Sequence, residues 1–224
     1  MKTLIIGAMD IEIETLVKKL QALAISSVYG NKCFYKKIDT LEVFISNCGI
    51  GKVNASAITQ KLIMDVCPDE IINTGIAGSM KKENRIGDII IGNMLTYHDV
   101  RQDQMESCFP FVKAFYSDTD LVEKFKSIIT EKKLVIGKIV SGESFINTSA
   151  QKEKIIIEYE PDCVDMESAA IAHVAYLNNI PFIAIRAICD NADDTAINDF
   201  EAFEKSNAII SADIVYKYIK NIVG

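Results

Sequence analysis

The chain has 224 residues, 49% of them hydrophobic and 25% charged, with only 11 Gly and 4 Pro. That composition excludes disordered, collagen-like and low-complexity chains, and the length suits one large domain, residues 1–224. A formal net charge of −7, with basic residues scattered along the chain, disfavours nucleic acid as a partner.

In chain order, the run Thr3–Ile6 reads as a first strand. It passes through Gly7-Ala8-Met9 into a helix whose apolar stripe is Ile13, Leu16, Val17 and Leu20, with Asp10 as the expected N-cap. The first apolar run is short and is followed by Asp10, Glu12 and Glu14, so no export leader is expected and the location is cytoplasmic. A carboxylate in the first turn of a helix is favoured as an anion, which suits Glu12 to accept a proton; a solvated helix start is the plain alternative.

Val43–Ser46 is the next strand, followed by Gly49-Ile50-Gly51-Lys52 and a helix carrying Ile58, Leu62 and Ile63. Glu70–Asn73 is a third strand, followed by the small-residue run Thr74-Gly75-Ile76-Ala77-Gly78-Ser79, which lets a ligand approach the backbone. Neither glycine-bearing run fits a Walker loop, and the opening segment lacks the GxGxxG spacing. Strands at Asp88–Ile91 and Leu134–Val140 bracket a polar connection and a helix with Leu121, Phe125 and Ile128.

The short run Cys163–Asp165 leads through Met166 and Glu167 into an alanine-rich helix, and Phe182–Ala187 is a last strand run, with Arg186-Ala187-Ile188-Cys189-Asp190 read as following its apolar part, Pro181–Ile185. Residues 168–185 carry no Asp, Glu, Lys or Arg, but His173, Asn178, Asn179 and Pro181 interrupt them. A buried helix and strand are expected there, with no membrane span. A long terminal helix, Phe200–Ile222, shows Phe203, Ile210, Ile214, Tyr218 and Ile222 on one stripe. Strands alternating with helices predict an α/β layer fold, whose ligands bind beyond the carboxyl ends of strands.

Three carboxylates, Glu12, Glu167 and Asp190, follow strand runs and are expected at one sheet edge. Only two histidines occur, neither near metal-ligand spacing, and the six cysteines are well separated, so metal and CxxC sites are not expected and the thiols should be reduced and mostly buried. No GxSxG elbow is present. Separated carboxylates suit acid/base chemistry at a glycosidic bond, which makes the expected substrate a sugar derivative.

The residues Ile5-Ile6-Gly7-Ala8-Met9 with Glu12, Gly49-Ile50-Gly51-Lys52, Asn73-Thr74-Gly75 with Ala77-Gly78, Ser141-Gly142 with Phe145-Ile146-Asn147, Met166-Glu167, and Arg186-Ala187-Ile188 with Asp190 closely resemble the 5′-methylthioadenosine/S-adenosylhomocysteine nucleosidases. These belong to the purine nucleoside phosphorylase superfamily. The resemblance implies a three-layer αβα sandwich with a central mixed, twisted sheet, working as a homodimer on an adenine nucleoside without metal or cofactor. Glu12 would activate water and Asp190 would protonate adenine. Glu167 would hold the ribose hydroxyls, Met166 would pack on the ribose, and Phe145 would stack on adenine beside the Ile146 backbone. Arg186 would support the ribose end, Phe200 would cover the pocket, and Met9, Ile76, Ala77, Gly78 and Cys189 would complete it.

Three departures stand out. Ile76 and Cys189 replace the family's usual serines, and Val100–Phe111 replaces a Gly/Tyr-rich stretch that in the family reaches into the partner's pocket. Met105, Phe109 and Phe111 are therefore expected at a dimer interface, contributing to the neighbour's 5′ pocket. A nucleosidase of futalosine type, a phosphorolytic phosphorylase and a silent nucleoside-binding module are the alternatives.

Overall fold

Fully buried aliphatic runs build the centre of the sheet, and the pleat of each strand decides which helices cover it. The computed structural model describes residues 1–25 and 30–224. Its elements are β1 (Lys2–Gly7), α1 (Asp10–Leu20), β2 (Leu23–Ile25), β3 (Cys33–Ile38), β4 (Leu41–Asn47), α2 (Lys52–Val66), β5 (Glu70–Ser79), β6 (Ile89–Tyr97), α3 (Gln102–Ser107), β7 (Phe115–Tyr116), α4 (Thr119–Ile128), β8 (Leu134–Ser141), α5 (Ser149–Tyr159), β9 (Cys163–Asp165), α6 (Ser168–Leu177), β10 (Phe182–Asp190) and α7 (Ala196–Val223).

The strands join one mixed sheet in the order β10-β6-β8-β9-β5-β1-β4-β3-β2, with β7 on β6. Because β10 also pairs with β5, the strands β5, β10, β6, β8 and β9 close into a ring at one end. Successive side chains point to opposite faces. Leu4, Ile6, Ile71 and Ala184 pack with α2 and α6, whereas Ile5, Ile72, Ile183 and Ile185 pack with α1, α4 and α7. The result is helix, sheet and helix in three layers. Each fully buried Ile or Leu contributes about 1.5–3 kcal/mol relative to exposure.

Several boundaries differ from the sequence expectation. The third strand runs on to Ser79 and the last to Asp190, so the small-residue run and the segment Arg186–Asp190 lie inside strands rather than after them. Both are central strands paired on two sides, and backbone pairing there outweighs the low strand propensity of Gly75, Ala77 and Gly78. The N-cap of α1 is Met9, not Asp10, which instead pairs with Lys32 and accepts from Asn47 Nδ2 at 2.8 Å.

On α7 the buried face is Asn207, Ala208, Ser211, Ala212, Ile214, Val215, Tyr218 and Ile219, leaving Phe203 and Ile222 exposed. Ile214 and Tyr218 of the expected stripe are thus buried and Ile210 packs against the core, while the small residues Ala208, Ser211 and Ala212 beside them bring the helix close to the sheet. Helices α3 and α5 and strands β2, β3 and β7 were not expected from the sequence. Of the six free cysteines, Cys67 and Cys108 are exposed and the other four buried.

Candidate active site

β1 ends at Gly7, and the chain turns sharply into α1, which delivers Glu12 beneath the turn. Glu12 is only 3% exposed. Its Oε2 accepts from the backbone N–H of Ala8 at 2.6 Å and of Met9 at 3.0 Å, and its Oε1 from Ile76 N–H at 3.0 Å. The carboxylate thus caps its own helix and bridges β1 to β5. Burial pushes its pKa up, against Arg186 and the three N–H donors, which pull it down. A carboxylate whose pKa is raised is a stronger base than a free one.

Asp190 closes β10, where the register with β5 shifts between Ile188 and Asp190. The irregularity turns the side chain toward Gly78, with which Asp190 is paired. Its Oδ1 accepts from Ala192 N–H at 2.7 Å. Burial raises its pKa to about 6; the Ala192 N–H and Lys152 oppose the rise, and Asp199 and Asp193 add to it. A carboxyl raised this far holds its proton to a higher pH than a free aspartate does, which suits it to act as a general acid.

Glu167 stands at the start of α6, with Oε1 accepting from Gly51 N–H at 2.8 Å. Burial and the neighbouring charges of Asp165 and Glu12 push it up, while the Gly51 N–H and Arg186 pull it down. Under it lies a buried polar network. Asp165 Oδ2 accepts from Arg186 Nε at 2.9 Å, and Oδ1 accepts from Ser141 Oγ at 2.5 Å and from the N–H groups of Glu167 and Ser168, both at 3.2 Å. Arg186 Nη2 donates to Asn73 Oδ1 at 2.5 Å, and Asn73 Nδ2 donates to Ile6 O at 2.9 Å. This paired charge fixes the sheet floor and the entry of α6 in one geometry.

The three carboxylates line one cavity of about 570 Å³, together with Met9, Ile76, Ala77, Gly78, Phe145, Met166 and Phe200. Phe145 and Phe200 meet edge to face, with ring centroids 5.7 Å apart. Ile146 lies in an adjoining recess with Gly78, Phe145, Met166 and Asp190. Arg186 and Cys189 do not line the cavity: Arg186 is buried under Asp165, and Cys189 packs behind Ile76. Met105 is partly buried against the core, whereas Phe109 and Phe111 are 70% and 65% exposed on the outer surface.

Ala8, Ile50 and Asp165, which the sequence analysis placed in candidate segments without a role of their own, also line the cavity, as do Val164, Ile197 and Glu201, which it did not single out. Ile197 and Glu201 carried no signal in the sequence, because the terminal helix begins earlier than its apolar stripe suggests. Among the described residues no group of three or more His, Cys, Asp or Glu is arranged to hold a metal ion, and no helix is long and apolar enough to cross a membrane.

The profile of the phosphorylase superfamily matches residues 2–220. The chain is similar to the 5′-methylthioadenosine/S-adenosylhomocysteine nucleosidase of Staphylococcus saprophyticus, at 41% identity over 226 residues, covering 97% of this chain and 99% of that one. Among solved structures it is similar to the 5′-methylthioadenosine/S-adenosylhomocysteine nucleosidase of Neisseria meningitidis in complex with methylthio-immucillin-A, with TM-score 0.91 and 32% identity, covering 98% of this chain and 99% of that one. It is also similar to the futalosine hydrolase of Helicobacter pylori, with TM-score 0.92 and 26% identity, covering 98% and 97% of the two chains.

Proposed function

The chain belongs to the 5′-methylthioadenosine/S-adenosylhomocysteine nucleosidase family of the phosphorylase superfamily, and from that premise we propose that it hydrolyses the N-glycosidic bond of 5′-substituted adenine nucleosides and releases adenine. The observation that carries this reading is the convergence of Glu12, Glu167 and Asp190 on one cavity, with the Asp190 carboxyl raised by burial to about 6.

In this reading Glu12 takes a proton from a water molecule as its oxygen bonds to the anomeric carbon. The bond from that carbon to the adenine nitrogen breaks, and Asp190 gives its proton to the purine so that the base leaves neutral. The carboxylates favour the positive charge that develops on the sugar. Glu167 accepts from the ribose hydroxyls, and Met166 packs on the ribose. Phe145 stacks on the base, with Ile146 at its polar edge and Phe200 over the mouth. Arg186 acts from below, by holding Asp165 and the floor.

Water is favoured over phosphate as the nucleophile. Among the described residues lining the cavity there is no Lys or Arg, and the buried guanidinium of Arg186 is committed to Asp165 and Asn73. Ile76 offers no hydroxyl to an anion. The working form we propose is a cytoplasmic homodimer in which Met105, Phe109 and Phe111 reach the neighbour's 5′ pocket; the two exposed phenylalanines support this, because paired exposed aromatics mark interfaces.

A second reading, a preference for futalosine-type nucleosides, is favoured by the likeness to the futalosine hydrolase and by the departure of Val100–Phe111 from the family pattern. The deciding experiment is to follow base release from a panel of 5′-substituted adenosines and inosines, with and without phosphate. Adenine with free sugar, independent of phosphate, is expected. A sugar 1-phosphate product, or turnover confined to inosine-type substrates, would overturn the main reading.

A further inference from the structure

Lys52, Asp99 and Glu143 line no part of the cavity, yet they tie together the three turns that border its Glu167 side. Lys52 Nζ donates to both carboxylate oxygens of Asp99, at 2.6 and 2.7 Å, and lies 5.4 Å from the centre of the Tyr97 ring. Asp99 Oδ2 also accepts from Glu143 N–H at 2.9 Å, and Glu143 Oε2 accepts from Lys52 N–H at 3.1 Å. The turn before α2, the end of β6 and the turn after β8 are thereby closed into one loop of contacts. Although burial alone would raise it, the Asp99 carboxyl is held below the usual carboxylate range by Lys52 and the Glu143 N–H.

The tied segments present two groups to the cavity. Gly51, the neighbour of Lys52, gives its N–H to Glu167 Oε1, and Phe145 follows Glu143 by two residues. Gly51 has φ +94°, and a Cβ there would stand 2.4 Å from Glu143 Oε1, so the Glu143 carboxylate lies directly against the backbone that aims Glu167. His98 N–H donates to Ser141 O at 3.0 Å, which anchors the same two turns from the other side.

We propose that Lys52, Asp99 and Glu143 are positioning residues, a strap that aims Glu167 at the ribose hydroxyls and seats Phe145. The identification of ribose as the group being aimed at rests on the nucleosidase reading. An ion pair whose side chains are 22% and 28% exposed, at the rim of the fold, adds little to global stability, so the strap's effect belongs in local order and in substrate discrimination.

The test compares Lys52→Met, Asp99→Asn and Lys52→Arg with the parent by amide hydrogen exchange, thermal melting and turnover of 5′-methylthioadenosine and its 3′-deoxy analogue. Exchange at 49–52 and at 141–145 should rise together by ~10-fold or more in the first two variants, with little change in melting temperature. Their kcat/KM should fall by ~10-fold, chiefly through KM, and discrimination against the 3′-deoxy substrate should shrink. Lys52→Arg should restore both. Glu143→Ala, at an exposed position, gives the same readouts should the other variants unfold.

Unchanged exchange at 141–145 in Lys52→Met, or faster exchange with parental 3′-hydroxyl discrimination, overturns the strap. A parent protein inert toward every adenine nucleoside would instead sink the nucleosidase reading, and the exchange comparison alone would then uphold or overturn the strap.

Discussion

A Cβ built on Gly75 would stand 2.4 Å from Glu12 Oε1 and 2.9 Å from Glu12 Cδ. The side chain from the first helix therefore lies flat against the backbone of the central strand, and only a glycine leaves room for it there. Gly75→Ala should push the carboxylate off the Ile76 N–H without disturbing the strand ladder. Turnover should fall by ~100-fold, to the level of a variant lacking the base, with a native circular dichroism spectrum. Parental turnover would show that Glu12 has slack its hydrogen bonds do not suggest.

Glu12→Gln and Asp190→Asn each remove a proposed proton-transfer group at nearly constant volume. Each should lower kcat by ~100-fold or more, the low end for a positioned acid or base, while nucleoside binding survives. Steady-state kinetics with a binding measurement separate the two effects. A variant within a few-fold of the parent would take that residue out of its assigned role.

Glu12 and Asp190 were legible in the sequence because each follows or ends a strand with a continuous apolar run, and Glu167 because it stands between the short run Cys163–Asp165 and the alanine-rich helix. The floor that holds them was not. Asp165, Asn73 and Arg186 are far apart in sequence and meet only because β5, β9 and β10 join the closed end of the sheet. That closure depends on backbone pairing of Gly75, Ala77 and Gly78, residues whose side chains argue against a strand. Likewise Glu12 looked like the third residue of a capped helix, when it is itself the group that satisfies the open N–H donors of Ala8 and Met9.

The raised pKa of Asp190 also sets a pH dependence of stability. Its folded value, about 6, lies above the ~3.9 of an unfolded aspartate, so folding favours the protonated form. That contribution is fully present below about pH 3.9 and is lost as pH rises through about 6. Asparagine does not ionise and can still accept from the Ala192 N–H. Asp190→Asn should therefore match the parent in stability near pH 4 and exceed it at pH 8, by at most about 3 kcal/mol. Denaturant unfolding at the two pH values checks this, and an equal stability difference at both would contradict the assignment.

The pH profile of turnover should respond to the charges around Asp190 with opposite signs. Asp199 raises the Asp190 pKa and Lys152 lowers it. Asp199→Asn should move the alkaline limb of kcat/KM to lower pH, and Lys152→Met should move it to higher pH, because the acid must still carry its proton. Shifts in the same direction for both variants would mean that another group controls the limb.

Phe109 and Phe111 meet edge to face, with centroids 6.4 Å apart, on a surface where little of the same chain covers them. Met105 is partly buried against the core beneath. If this patch completes a neighbour's 5′ pocket, Met105→Ala with Phe109→Ala should remove apolar contacts to the 5′ substituent and leave the base end intact. Contacts of about 1–3 kcal/mol correspond to a change of ~10-fold or more in the ratio of kcat/KM between methylthio and unsubstituted 5′ groups. Adenine recognition, which the proposed mode assigns to Asp190, Phe145 and Ile146, should barely move. Sedimentation measured alongside should show a weakened dimer, since the same side chains would bury the contact. Equal losses for every 5′ group, or a fully active monomer at assay concentration, would assign the two phenylalanines to the surface alone.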